Sequence, residues 1–350
     1  MTQVDKKQAA EMTNYRGRID MSENGMDKVT EIGLFSYPEC QKAAIHGLTD
    51  LFRVANEAAL YPQENYTGRS IRVSHWELNE TSGSIDCVWD SHPQDRHALS
   101  HVIAPPSVAM PERMRLLPEA ADWLLKLHAG GTRICSVCAG AFVIAQTGLL
   151  DGRRATTHWA FAELLAKSYP AVRLVTDNIV IDEGDVITAG GILAWTDLGL
   201  VLVERIMGMG VMLATSRFML SEGPRHDQRL FRAFNPRFDH GDQRILSVQH
   251  HIHADPAAPH EILALSKLAG LSYRTFLRRF FSATGLKPVS YIKQVRVMKA
   301  RNALEIGNET VETIAASVGY SDPTSFRKVF RSIVGVVPQA YRDRFKIRRV

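Results

Sequence analysis

Along the first two thirds of the chain, short apolar runs alternate with longer amphipathic stretches. Val29–Tyr37 predicts a buried strand, and His46–Leu60 a helix whose apolar face carries Leu48, Leu51, Phe52 and Ala55. Ile71–Leu78 alternates as a half-buried strand does, and His101–Ala104 is a short apolar strand. Pro118–Ala129 reads as a helix with Leu124, Leu125 and Leu127 for a core face. Thr132–Val137 is a strand that runs straight into a small-residue turn and a helix over Ala139–Thr147. Ala160–Ser168 predicts a further helix; Val172–Thr176, Asn178–Ile181 and Val186–Thr188 predict strands. Gly190-Gly191 then leads into a long helix over Trp195–Met207. Strands alternating with helices predict an α/β layer on a mainly parallel sheet.

After Ser221 the alternation stops. Glu222–Arg244 holds Gly223-Pro224, Asn235-Pro236 and many charges, and reads as a connector with one helical turn. Everything beyond is helical, punctuated by Gly270, Gly285, Gly319 and Gly335. The first 28 residues are polar without apolar periodicity and predict a flexible tail. The expected division is a tail (1–28), an α/β domain (29–221), a connector (222–245) and an all-α domain (246–350).

The all-α part contains a duplication. Gly270 and Ser272 recur as Gly319 and Ser321, and Phe280, Gly285, Pro288 and Tyr291 recur as Phe330, Gly335, Pro338 and Tyr341. Each copy reads as an apolar helix, a glycine turn, a polar cap and a basic amphipathic helix ending at glycine, which is the helix-turn-helix pattern. Ser272 caps the first basic helix; its Phe276 and Phe280 share the buried face while Arg274 and Arg278 lie four apart on another. In the second copy Asp322 caps, Pro323 takes the first helical position, and Phe326 and Phe330 form the core stripe. Thr324, Arg327, Lys328 and Arg331 then point outward, a surface suited to the DNA major groove.

Charge separates the same two parts. The chain's net charge is +5, but residues 246–350 hold 17 lysines and arginines against 7 acidic residues, net +10. The remaining 25 basic and 30 acidic residues leave 1–245 at −5. That asymmetry predicts a polyanionic partner at one end of the molecule.

Four cysteines (Cys40, Cys87, Cys135, Cys138) do not make a secreted disulfide framework. No signal peptide is evident, and Glu204 and Arg205 interrupt the most apolar stretch, so a cytoplasmic protein without a membrane span is expected. The strongest local feature is the strand that delivers Cys138 into Ala139-Gly140-Ala141. A sharp strand-to-helix turn of this kind exposes a nucleophile at a helix N-terminus. His158 follows twenty residues later, and the pair could form a thioester or bind a ligand. Cys135 and Cys138 also make a C-x-x-C, yet Cys135 lies inside the strand and alternates away from the turn. His250, His251 and His253 lack cysteine or paired carboxylate partners and read as a solvated cluster rather than a metal site. Trp195 reads first as core, although a tryptophan lining a pocket would suit a cationic ligand. Nothing in the sequence asks for a cofactor.

Leu265–Phe345 resembles the DNA-binding domain of AraC-family transcription regulators. The likeness rests on Ile314-Ala315, Val318-Gly319-Tyr320, Phe326, Phe330, Gly335, Pro338 and Tyr341-Arg342. Val29–Phe218 resembles the ThiJ/PfpI-like domain of GlxA-type AraC regulators, which have the class I glutamine-amidotransferase-like fold. Here the likeness is carried by Gly148-Leu149-Leu150-Asp151-Gly152 and Ala155-Thr156-Thr157-His158-Trp159. In enzymes of that fold a carboxylate supports the cysteine; Ala44 stands at its place, and Pro105-Pro106-Ser107 replaces the usual Gly-Gly.

The resemblance implies a sequence-specific regulator, an activator and not an enzyme, responding to a small nitrogenous metabolite. The candidate ligand contacts are Cys138, Ala139, His158 and Trp195. On the DNA side it implies two recognition helices held by a linking helix over about Pro288–Glu305, entering successive major grooves through Arg274, Arg278, Arg279, Thr324, Arg327, Lys328 and Arg331. The implied partners are double-stranded promoter DNA, the effector, RNA polymerase and a second copy in a homodimer. The competing expectation is a cysteine-dependent amidase or glyoxalase-like enzyme with a DNA-binding appendage.

Overall fold

A computed structural model describes residues 28–61, 63–79 and 81–347. The polar segment expected to form a tail lies, up to residue 27, outside the described residues. Strand β1 (Lys28–Ser36) leads into helix α1 (Lys42–Ala58), then β2 (Arg69–Leu78), β3 (Ile85–Asp90) and β4 (Leu99–Ala104). Helix α2 (Pro118–Ala129), β5 (Arg133–Val137) and α3 (Gly140–Ala145) follow. Next come β6 (Arg154–Ala155), α4 (Ala162–Ser168), β7 (Arg173–Leu174), β8 (Val180–Asp182) and β9 (Val186–Ala189), and the layer closes with α5 (Trp195–Met207) and α6 (Met209–Phe218).

Seven strands form one sheet in the order β3-β2-β1-β4-β5-β9-β8, while β6 and β7 pair separately. β1 runs parallel to β2 and to β4, and β4 parallel to β5; β3 is antiparallel to β2. A parallel sheet covered on both faces reads as continuous apolar runs, which is why Ile32, Leu34 and Phe35 are all buried on consecutive turns of the pleat. Helix α1 answers with Leu48, Leu51 and Phe52, none more than 1% exposed. Gly199 of α5 lets that face approach: a Cβ there would lie 3.0 Å from Leu51.

Two elements differ from expectation. Strand β3 was not predicted, because Val88 and Trp89 face outward on an edge strand and its burial follows no apolar run. Helix α5 keeps its expected bounds, but the helix that follows it, α6, was not expected; between them Gly208 takes φ +99, and a Cβ on it would sit 2.0 Å from the Asn65 carbonyl oxygen. The connector contains no helix among its described residues before Gln243.

The described residues divide into two compact units, 28–149 with Gly184–Ile187 and Trp195–Pro224, and Leu150–Glu183 with Thr188–Ala194 and 225–347. The second unit holds α7 (Gln243–Ala254), α8 (Ile262–Leu268), α9 (Tyr273–Thr284), α10 (Pro288–Ile306), α11 (Val311–Ser317), α12 (Pro323–Val334) and α13 (Pro338–Phe345). Its helices bury two apolar clusters. One gathers Phe276 and Phe280 with Tyr291, Ile292 and Val295; the other gathers Phe326 and Phe330 with Val297, Ala300 and Leu304. Successive turns of α10 therefore serve the two copies in tandem, and the duplication in sequence is a duplication of cores.

Candidate functional site

Both basic helices begin where their caps predict. Ser272 Oγ accepts from the Thr275 amide, and both carboxylate oxygens of Asp322 accept backbone amides, from Thr324 and Ser325 at 2.9 Å. The Ser325 hydroxyl foremost, and then those two amides, hold the Asp322 carboxyl down at about 2. Each helix ends at a glycine in the left-handed region, Gly285 at φ +71 and Gly335 at φ +91. Phe276, Phe280, Phe326 and Phe330 are fully buried. Arg274, Arg278, Thr324, Lys328 and Arg331 are exposed, and the four cations among them have no acidic partner among the described residues.

Two candidates are engaged elsewhere. Arg279 donates two bonds of 2.8 Å to Asp242, the N-cap of α7, which pins α9 to α7 and keeps the Asp242 carboxyl below its usual range. Arg327 pairs with Glu312 of α11. Two arginines that the sequence did not single out set the frame of the heads. Arg296 donates to the carbonyls of Pro256, Ala258 and Gly319, and Arg301 to those of Leu230 and Arg232 and to the Tyr341 hydroxyl. Of the histidines, His253 bonds the Tyr291 hydroxyl at 2.9 Å and His251 stacks edgewise on His260, so the cluster is partly structural.

In the first unit, Cys138 is buried and takes φ +55, a left-handed conformation that a non-glycine residue holds at a cost of about 1–3 kcal/mol. Ala139, also buried, begins the turn of α3. The turn is tight because α3 approaches the end of β4: a Cβ on Gly140 would lie 2.3 Å from the Ala104 carbonyl oxygen. Gly140→Ala is accordingly expected to destabilise the first unit by about 1–3 kcal/mol, lowering its thermal midpoint despite alanine's better helix propensity. An unchanged midpoint would mean that the elbow is slack.

Beside the elbow the segment after β1 is zipped to the segment after β4. Gln41 donates its amide to the Pro106 carbonyl at 2.7 Å, Val108 to the Glu39 carbonyl at 2.9 Å, and Cys40 bridges Ser107. Pro105-Pro106-Ser107 thus contributes carbonyls and a hydroxyl where glycines were expected. Tyr37 donates its hydroxyl to the Pro105 carbonyl at 2.6 Å. Burial, then the nearby thiols of Cys40 and Cys138, push its pKa well up. Tyr37 also lines a cavity of about 300 Å³ with Pro38, Glu39, Ala109, Arg113, Met114, Arg115 and Leu117, at the small end of ligand sites. The sequence offered no signal for Glu39 and the arginines, which meet only through the pairing of the two loops. Ala44 is fully buried on α1.

His158 lies in the second compact unit and Cys138 in the first. Its Nδ1 accepts from the Ala160 amide at 3.1 Å, its ring packs on Trp159 and Phe161, and burial lowers its pKa. Trp195 opens α5 and packs against Gly47 of α1, where a Cβ would come within 2.4 Å of the ring; its indole nitrogen is buried without a partner. Cys87, Asp90 and His97 form the one cluster of metal-ligand type among the described residues. Within it Arg72 holds Asp90 through two bonds, and His97 bonds Glu31 through Nδ1.

Residues 80–205 match the DJ-1/PfpI family, and residues 265–344 match a helix-turn-helix domain family. The chain is 28% identical over 238 residues to the HTH-type transcriptional regulator GlxA of Rhizobium meliloti (strain 1021), covering 65% of this chain and 72% of that protein. It is 27% identical over 223 residues to the HTH-type transcriptional regulator CdhR of Pseudomonas aeruginosa, covering 63% and 66%. Among solved structures, Drosophila melanogaster DJ-1beta aligns at 19% identity and a TM-score of 0.41, covering 56% of this chain and 100% of that one. The alignments thus span about two thirds of the length of these curated relatives. The chain carries a DJ-1/PfpI domain followed by an AraC-type helix-turn-helix domain, the pairing of DNA-binding transcription regulators of the AraC/GlxA type. No helix among the described residues is long and apolar enough to cross a membrane.

Proposed function

We propose that this regulator activates transcription when its α/β domain, residues 29–221, binds a small nitrogenous metabolite, and that it works as a homodimer on repeated promoter half-sites in contact with RNA polymerase. The observation that carries the sensor reading is the small cavity beside the elbow. Its Glu39 carboxylate suits a cationic nitrogen, Tyr37 supplies an aromatic wall, and Arg113 lines the same cavity with a charge that suits a carboxylate. Cys138, Ala139 and Trp195 in the first unit, and His158 in the second, are separate candidate contacts that do not line this cavity. Because an alanine occupies the place of the supporting carboxylate, the cysteine serves binding and not turnover.

The test is a thermal-shift and DNA-binding screen of the full chain against amino acids and quaternary amines. A true effector at a hundred times its Kd should stabilise the chain by about 2.7 kcal/mol and change promoter affinity in parallel. If no such compound moves both, the sensor reading is lost. Turnover of an amide or an α-oxoaldehyde that Cys138→Ser abolishes would establish the enzyme instead.

On the DNA side, Arg274, Arg278, Thr324 and Lys328 read bases, and Arg331 neutralises phosphate. Arg278→Ala should cost about 1–3 kcal/mol on the best site and flatten sequence preference there. Arg331→Ala should weaken all sequences alike and reduce the salt slope by about one. Equal effects of both substitutions on matched and scrambled DNA would undo the assignment of Arg278. Arg279 and Arg327 then act through their ion pairs, holding the helices at the angle from which the others reach DNA.

A further inference from the structure

The connector is held along its length. His226 accepts the Ile179 amide at 3.1 Å, Gln228 donates its own amide to the Asp177 carbonyl at 2.7 Å, and Asn178 bridges Asp227. The Gln228 side chain is 3% exposed. Its amide nitrogen faces three acceptors, Thr156 Oγ1 at 2.9 Å, the Thr157 carbonyl at 3.0 Å and the Asn178 carbonyl at 2.8 Å. Its oxygen accepts the Trp159 amide at 3.3 Å. Gly190 is shaped around it, since a Cβ there would lie 2.0 Å from Gln228 Nε2. One side chain thus closes both ends of the segment that carries His158.

Two residues later the chain is inside the second reading head. Leu230 is buried in the cluster of Val297, Ala300, Leu304 and Phe330, and Arg301 takes the carbonyls of Leu230 and Arg232. Between the anchors stands only Arg229, itself paired with Asp227 at 2.6 Å. A Gln228-to-Leu230 step spans at most about 7 Å and has no slack to absorb a shift. Asp227 also reaches the glycine that ends α12, within 2.6 Å of where a Gly335 Cβ would be.

We propose that residues 226–232 are a rigid coupling strap, in which Gln228 is a positioning residue that fixes the Thr156–Trp159 segment to the second helix-turn-helix. The inference deepens the sensor reading above: whatever settles against His158 and Trp159 moves the strap, and the strap moves the helix that Gly335 ends. Coupling of this kind is reciprocal, so a disturbance at either anchor must be felt at the other.

The experiment is hydrogen exchange on the full, effector-free chain with paired DNA-affinity measurements, comparing Gln228→Glu with Leu230→Ala. Gln228→Glu sets a carboxylate against two carbonyls and should speed exchange about tenfold at Trp159 and Ile179. The proposal requires that it also speed exchange in α10 and α12 and alter DNA affinity by about threefold or more. Leu230→Ala, made from the other end, must loosen Trp159 and Ile179. Should Gln228→Glu fail to fold, Thr156→Val, which removes one acceptor of Gln228 and the hydroxyl's own bond to the Asn178 carbonyl, must produce the same distal pattern at smaller amplitude. Exchange confined to each variant's own side, with DNA affinity unchanged, overturns the strap and leaves the sensor reading intact. Distal coupling with no effector found in the screen upholds the strap and removes the sensor.

Discussion

Phe330→Ala is expected to destabilise the second helix-turn-helix by about 3–5 kcal/mol and to erase its half of the DNA footprint. The ring is fully buried, tilts against Phe326 at 5.7 Å and meets Tyr341 edge-on at 5.6 Å. Truncation leaves a cavity among residues of α10, α11 and α13 that are themselves packed in the same buried cluster, Val297, Leu304, Ile314 and Tyr341, and so cannot freely collapse to fill it. Since a head of this size has only several kcal/mol to lose, the loss makes the reading helix disordered on the DNA timescale. Phe280→Ala does the same to the first copy, where Phe276 and Tyr291 stand at 5.5 and 5.3 Å. The two clusters share no buried residue. Footprints of the two variants should consequently be complementary, each losing one half-site. Loss of both halves in either variant would show a single cooperative head.

That architecture was legible because the signals are local or periodic. A left-handed glycine after each basic helix, a proline opening the next and a tyrosine one turn on are constraints within twenty residues, and they recur. The helix Trp195–Met207 likewise has the bounds that its apolar period predicts. The parallel strands could be read from apolar runs; β3 could not, because an antiparallel edge strand with Val88 and Trp89 outward has no such run. The pairings of Arg279 with Asp242, 37 residues away, and of Arg327 with Glu312 had no sequence signal, since any exposed arginine on a basic helix looks free. Gln228 was the least legible of all. A lone glutamine in a charged, proline-containing segment reads as loop, and only the buried oxygens of Thr156, Thr157 and Asn178 give it a purpose. The elbow itself was visible in the small residues after Cys138, but the cavity beside it depends on two loops brought together by backbone bonds, which side-chain patterns do not record.

Raising salt from 50 to 200 mM should lower the DNA affinity of the full chain about a thousandfold, the response of a protein that neutralises about six phosphates. The basic third does not spend all its charge on DNA. Arg279 and Arg327 are committed to carboxylates, and Arg296 and Arg301 to backbone carbonyls. Of its 17 basic residues these four are withdrawn, which is why the expected slope is well below one per cation. Arg274, Arg278, Lys328 and Arg331 are exposed on those helices and supply the remainder with the ends of α10 and α13. The acidic first 245 residues, net −5, oppose approach at low salt and steepen orientation more than they change the slope. A titration over this range that changes affinity less than about tenfold would mean that the exposed cations do not meet phosphate, and the two-headed docking would be wrong. A slope that falls by about one in Arg331→Ala, and is unchanged in Arg279→Gln at saturating stability, would separate the charges that touch DNA from those that hold the helices in place.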